Sequence, residues 1–253
     1  MSSESSIEFE HVSFRLPDGK TLLSDLTLEV KKGETLVLLG RSGSGKTTTM
    51  KLINRLIDPS EGEVRVDGKS TLEWDPIQLR RRIGYVIQEI GLFPHLSIEE
   101  NIGVVPRLEG WDVERIKARA RALLTMVGLD PDRFAGRFPK ELSGGQRQRI
   151  GVARALVADP PVMLLDEPFG ALDPITRRDI QQEFRALQER LKKTMVFVTH
   201  DVREALLLAN RVGLVKDGNM ILLGPPSELL NSNHPEAQAF AACVSDGDAR
   251  SAS

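Results

Sequence analysis

One cysteine, one tyrosine and two tryptophans are spread over 253 residues. Cys243 alone can build neither a disulfide framework nor a clustered thiolate metal site, and a reducing cytoplasm fits that usage. So few Tyr and Trp argue against a surface that stacks bases. No apolar run reaches the roughly 20 residues of a membrane-spanning helix. The start, Met1-Ser2-Ser3-Glu4, is polar and acidic, unlike a signal peptide. Net charge is −2, without the basic excess that points to nucleic acid. No internal repeat is visible. The remaining composition, 40% hydrophobic and 28% charged, is that of a soluble globular protein, and the length suits one large domain or two small ones.

Against this background one stretch stands out: Gly40-Arg41-Ser42-Gly43-Ser44-Gly45-Lys46-Thr47, followed by Thr48 and Thr49. It comes after the apolar run Leu36-Val37-Leu38-Leu39 and opens a helical pattern over 46–57 that Pro59 stops. Strand, glycine turn and helix are the context of a phosphate-binding P-loop. Glycines let backbone N–H groups curl around an anion, and the helix N-terminus points its partial positive charge at the same place. Lys46 adds a full charge for β- and γ-phosphates, and Thr47 a hydroxyl for Mg²⁺.

Around the loop, Ile7, Phe9, Val12 and Phe14, and then Leu26, Leu28 and Val30, alternate on either side of Pro17-Asp18-Gly19, which predicts an antiparallel β region. Val64-Arg65-Val66 with Asp67-Gly68 reads as a further strand and turn. The P-loop helix should bury Leu52, Ile53, Leu56 and Ile57. Ile83 to Gln88 reads as a strand ending in an amide. Gln88 is either a solvated strand end or a side chain reaching a metal-bound water or the γ-phosphate. Residues 89–107 read as an irregular loop whose apolar residues are core or a docking patch. A helix follows, capped by Asp112, with Val113, Ile116, Ala120, Leu123, Leu124 and Val127 on one face and Gly128 at C′.

Leu142-Ser143-Gly144-Gly145-Gln146 opens another helix, carrying Ile150, Ala153, Leu156 and Val157. Two glycines in a first turn weaken a helix by about 1 kcal/mol each if they count as interior, while clearing its end for an anion. Met163-Leu164-Leu165-Asp166-Glu167 is an apolar strand running into two carboxylates, as in a central parallel strand whose carboxyl end meets a ligand. Asp166 suits a Mg²⁺ partner and Glu167 the activation of a water, the Walker B arrangement. Asp173 and Pro174 suit N-cap and N1 of a helix over 175–192, with Ile175, Phe184, Leu187 and Leu191 on one face. A strand over 194–199 ends at His200, which is either a structural histidine or, by its position, a hydrogen-bond donor to the γ-phosphate. Asp201 with Glu204 resembles a capping box, and 212–223 reads as a hairpin. The end, 245–253, reads as a disordered tail.

P-loop, Gln88, Leu142-Ser143-Gly144-Gly145-Gln146, Asp166-Glu167 and His200, in that order, resemble the ATP-binding-cassette (ABC) ATPases over about residues 7–230. The resemblance implies an α/β fold: a RecA-like P-loop NTPase core, an antiparallel β subdomain and a helical subdomain inserted at about 89–160. It implies ATP and Mg²⁺ (Thr47, Gln88, Asp166) as cofactors. It also implies a head-to-tail dimer in which 142–146 of one copy caps the γ-phosphate held by 40–48 of the other. Asp173 would line that interface. An aromatic residue is implied for the adenine, but Leu16 stands at its position, with Phe14 two residues earlier.

Arg82-Ile83-Gly84-Tyr85-Val86-Ile87-Gln88, Leu92-Phe93-Pro94-His95 and Glu99-Glu100-Asn101-Ile102 are most similar to the ATPases of bacterial importers of glycine betaine, choline, carnitine and related osmoprotectants. That likeness implies integral membrane permease partners, a substrate-binding protein indirectly, and a place on the inner face of the cell membrane. Many such ATPases continue into a regulatory tandem CBS region. Residues 231–253 are expected to be a short extension with no CBS domain. The competing expectations are an ABC ATPase of an export or lipid-trafficking complex, and a non-transport ABC protein, against which the acidic charge counts.

Overall fold

The computed structural model describes residues 5–88 and 91–251, the last seven of them as backbone alone. The readings placed on residues 1–4 and on Glu89-Ile90 lie outside the described residues. The chain forms two units, Met1–Leu79 with Lys193–Ser253, and Arg80–Lys192.

In the first unit, β1 (Ser5–Arg15) and β2 (Thr21–Lys31) pair antiparallel, Ile7 opposite Val30 and Phe9 opposite Leu28. Their alternation buries Ile7, Phe9, Val12, Leu26, Leu28 and Val30 on one face. β3 (Thr35–Leu39) is buried at every position and runs through the glycine loop into α1 (Lys46–Ile53). β4 (Glu61–Val66) and β5 (Lys69–Ser70) complete an antiparallel sheet in the order β2-β1-β4-β5. α2 (Pro76–Arg81) follows. α1 ends four residues before the expected Ile57. Arg55 turns left-handed (φ 51°), and its guanidinium donates to the Leu72 and Trp74 carbonyls. That turn swings Leu56 off the buried face and leaves it exposed.

In the unit Arg80–Lys192, β6 (Ile83–Val86) and β7 (Val162–Asp166) pair in parallel, Val86 opposite Leu165. The stretch expected to be irregular holds two short helices, α3 (Ile98–Ile102) and α4 (Val104–Leu108). Ser97 and Glu100 form a complete capping box on α3. Asn101, fully buried, donates to the Phe93, Leu96 and Ser97 carbonyls and so pins the preceding loop. α5 (Val113–Met126), capped by Asp112, buries Ile116, Ala120, Leu123 and Leu124, but Val113 at its first position faces out. α6 (Pro131–Phe134), α7 (Gly144–Leu156) and α8 (Pro174–Leu191) follow. α8 buries Ile180, Phe184 and Leu187, whereas Ile175, expected on that face, sits in the first turn and is exposed.

The first unit resumes with β8 (Thr194–Thr199), parallel to β3 with Thr199 opposite Leu39, then α9 (Val202–Leu208). β9 (Arg211–Lys216) pairs in parallel with the other edge of β3, and β10 (Asn219–Gly224) turns back antiparallel on β9. Flanked on both edges, β3 reads as an unbroken apolar run. Asp217 and Gly218 both have positive φ (48° and 79°), the geometry of a two-residue hairpin turn. α10 (Pro226–Asn231) and α11 (Pro235–Ser251) end the described chain. The backbone is therefore helical through most of the stretch expected to be disordered. Among the described residues no helix is long and apolar enough to cross a membrane.

Candidate functional site

The loop 40–47 is shaped by three glycines with different constraints. A Cβ on Gly40 would lie 2.3 Å from the Val215 carbonyl oxygen, so space alone excludes a side chain. Gly43 has open space but a φ of +80°, and Gly45 has both a φ of +109° and a close approach to Leu22 and Leu23. The hairpin turn braces the loop, Gly218 N–H donating to the Ser44 carbonyl at 3.0 Å. Lys46 is buried. Its ammonium donates to the carbonyls of Gly40 and Arg41, both at 2.8 Å, holding the charge at the mouth of the loop. The Ser44 hydroxyl is buried with no hydrogen-bond partner among the described residues. Thr47 and Thr48 stand in the first turn of α1, half-buried. Arg41 and Ser42 are exposed.

His200 lies one residue beyond Thr199, and Gly40 one beyond Leu39. Because Leu39 and Thr199 are opposite in adjacent parallel strands, His200 and the P-loop leave the sheet at the same edge. His200 is exposed there. Asp201 caps α9 through Arg203 N–H, but the expected capping-box partner Glu204 does not reach back. Its buried carboxylate instead accepts from the Thr199 hydroxyl at 2.5 Å, which ties strand end to helix. Phe14 and Leu16 are both half-buried near the end of β1.

In the unit Arg80–Lys192 the parallel pairing brings Gln88, two residues past β6, and Asp166, the last residue of β7, to one sheet edge. Gln88 is exposed and Asp166 buried. Tyr85 joins them: burial, and then the neighbouring Asp166 carboxylate as charge and acceptor, push its phenol up to about 12. Sequence reading missed Tyr85, although a strand alternation carried across the pair would have pointed to it. Glu167 takes a φ of 44°, a left-handed conformation strained for a non-glycine residue, directly after the strand ends.

Ser143 is the N-cap of α7, and with Gln146 it forms a reciprocal capping box, at 3.3 Å from Gln146 N–H to Ser143 Oγ and 2.9 Å from Ser143 N–H to Gln146 Oε1. Arg147 donates to the Leu142 carbonyl. The glycines here answer to packing: a Cβ on Gly145 would lie 2.8 Å from Ile180 Cδ1 and 2.9 Å from Thr176 Cγ2, and one on Gly144 would touch Leu172 at 3.4 Å. Residues 142–146 are thus seated against the 172–180 stretch, beside an open cleft of about 340 Å³. Asp173 caps α8 through Thr176 N–H at 3.0 Å, and that bond holds its carboxyl below the usual range.

The ABC transporter family model matches residues 23–170. The chain is 53% identical over 226 residues to the glycine betaine/carnitine/choline transport ATP-binding protein OpuCA of Bacillus subtilis (strain 168), covering 89% of this chain and 59% of that protein. It is 48% identical to the glycine betaine uptake system ATP-binding protein YehX of Escherichia coli (strain K12), covering 88% of this chain and 72% of that protein. Among solved structures it is similar to the dimeric post-hydrolysis state of the ATP-binding cassette MJ0796 bound to ADP and Pi. That likeness has a TM-score of 0.76 and 35% identity, over 87% of this chain and 98% of that one. The chain belongs to the ABC transporter family. Its fold is the P-loop ABC-ATPase fold, a mixed α/β core with an antiparallel β subdomain. It spans little more than half the length of OpuCA.

Proposed function

We propose that this chain is the ATP-hydrolysing subunit of an ABC importer, acting as two head-to-tail copies beneath separate membrane permease subunits. The observation that carries the reading is the 40–47 loop: a glycine cradle closed on a buried ammonium, with the Ser44 hydroxyl lacking a partner among the described residues. ATP phosphates supply acceptors for that ammonium, that hydroxyl and the N–H groups at the start of α1.

In this reading Lys46 leaves the loop carbonyls for the β- and γ-phosphates, and Gly40 to Thr48 enclose them. Thr47, Gln88 and Asp166 are oxygen donors of the kind Mg²⁺ prefers, and one carboxylate with a hydroxyl is a usual protein share of such a site. Mg²⁺ would supply charge neutralisation between the phosphates. Glu167 takes a proton from the attacking water, and His200 bonds the γ-phosphate. Ser143, Gly144, Gly145 and Gln146 of the second copy cap the same phosphate, with Leu142 anchoring them and Asp173 at the interface. ATP then binds the closed pair better than the open one, and that differential affinity moves the equilibrium.

The relatives' names support osmoprotectants such as glycine betaine, choline or carnitine as the cargo of the transport system. A cargo pocket would belong to the permease and an external substrate-binding protein, and this chain would act at the cytoplasmic face of the membrane. Two measurements test the reading. Glu167→Gln is expected to slow hydrolysis on the order of a hundredfold or more and to trap an ATP-bound dimer seen by light scattering. Near-normal turnover would remove Glu167 from the base role. Capture from membranes under ATP should bring down a multi-span permease; a ribosome in its place would refute transport.

A further inference from the structure

Glu236, in the first turn of α11, is almost wholly buried, yet it is a carboxylate and nearly two hundred residues from the P-loop in sequence. Its Oε1 accepts from Arg41 Nε at 2.5 Å, and its Oε2 lies 3.5 Å from Lys216 Nζ on β9. Its backbone N–H donates to His234 Nδ1 at 3.1 Å, and Ala237 beside it is fully buried, so the carboxylate is carried on a seated turn. The Arg41 guanidinium, by direct hydrogen bond and by charge, holds the Glu236 carboxyl below the usual range. Arg41 is the second residue of the phosphate loop. Its carbonyl accepts both the Lys46 ammonium at 2.8 Å and Ser44 N–H at 3.2 Å. One residue therefore touches Glu236 with its side chain and the phosphate-binding lysine with its backbone.

We propose that Glu236 is a positioning residue for nucleotide binding, which acts through Arg41 to hold the 40–47 loop and Lys46 in their binding geometry. The segment after the hairpin, which no nucleotide role covers, becomes part of the loop's support. Arg41 supplies the flexible link, its side chain 71% exposed against 8% for Glu236. A phosphate loop must keep several N–H groups and one ammonium converged, and small displacements of such groups cost large factors in affinity.

The proposal rests on the nucleotide reading above, and the test separates the two. Affinity for a fluorescent ATP analogue with Mg²⁺ is measured for the full chain and for Glu236→Gln, Arg41→Gln and the double variant. Steady-state hydrolysis gives KM and kcat. Each single change is expected to weaken nucleotide binding by roughly three- to tenfold, as for loss of a charge-assisted hydrogen bond on a partly exposed partner, and to raise KM more than it lowers kcat. The double variant should bind no more weakly than the weaker single one, because Glu236 acts through Arg41. A folded Glu236→Gln with unchanged affinity overturns the proposal. So do additive losses, or a drop in melting temperature with no change in affinity. If Glu236→Gln does not fold, Arg41→Lys decides: retained charge at a changed reach should restore part of what Arg41→Gln loses, and no rescue counts against the tether. Failure of the unaltered chain to bind MgATP would overturn the underlying nucleotide reading.

Discussion

Two helix N-termini in this chain are read as phosphate sites, and they are built on opposite plans. At α1 the N-cap is Gly45, with no side chain to cap the helix, and two glycines hold positive φ. A buried cation and a buried hydroxyl with no partner among the described residues complete that end. At α7 the N-cap is Ser143, whose hydroxyl and Gln146 amide already satisfy two of the free N–H groups. Neither Gly144 nor Gly145 has positive φ. They are small because α7 lies against Ile180, Thr176 and Leu172. The first end can be built only with glycine, and it keeps a buried hydroxyl without a partner among the described residues. The second is a finished helix end, backed by α8 and opening on a cleft. That suits a loop that grips a nucleotide and a plate that closes on one already gripped.

The comparison breaks most severely at Gly45. Alanine there meets a φ of +109° and contacts of 2.7 Å to Leu23 Cδ2 and 2.9 Å to the Leu22 carbonyl oxygen. Gly45→Ala should lower stability by about 3 kcal/mol or more in urea unfolding and abolish nucleotide binding. Gly43→Ala, strained in φ but in open space, should cost only about 1–2 kcal/mol. Equal effects would mean that the close packing at Gly45 does not matter.

At the second end the expected effects are smaller and of another kind. In Gly145→Ala the new methyl meets only side-chain ends, Ile180 Cδ1 and Thr176 Cγ2, which can shift. A gain in helix propensity of up to about 1 kcal/mol offsets the crowding, so stability should change by less than that. Binding of nucleotide to a single copy should persist, while cooperative hydrolysis falls by roughly tenfold because Ile180 and Thr176 must shift beneath the 142–146 turn. Loss of nucleotide binding in this variant would contradict the division of labour. Ser143→Ala removes one cap and should lower stability by about 1 kcal/mol.

Much of this was legible because it is local. The glycine loop, the 142–146 motif and Asp166-Glu167 each sit within a few residues, and five-residue strands buried throughout, such as β3 and β7, announce themselves as apolar runs. What was hidden falls into two classes. α3 and α4 have five residues each, too short to show a helical period, and the one local signal, the Ser97/Glu100 capping box of α3, went unread. Val113 and Ile175 carry the right spacing but sit in first turns that point outward. The other class is long-range. No pattern in the sequence ties Arg41 to Glu236, or sends Glu204 to Thr199 rather than to its own helix cap.

The smallest expected effect compares caps. Ser143 and Asp173 cap α7 and α8 in one unit through the same kind of bond, but only Asp173 titrates. The Thr176 N–H lowers its pKa in the folded chain. A carboxylate with a depressed folded pKa contributes stability that is full above its unfolded pKa, about 3.9, and is lost as pH falls through the folded value. Asparagine keeps an acceptor at the cap without the charge. Asp173→Asn should therefore lower the melting temperature by a constant amount from pH 7 down to about pH 5, and the gap from the unaltered chain should close below about pH 4. Ser143→Ala, measured over the same range, should show an offset independent of pH. Parallel curves for Asp173→Asn down to pH 2.5 would mean that the charge at this cap adds nothing to the hydrogen bond.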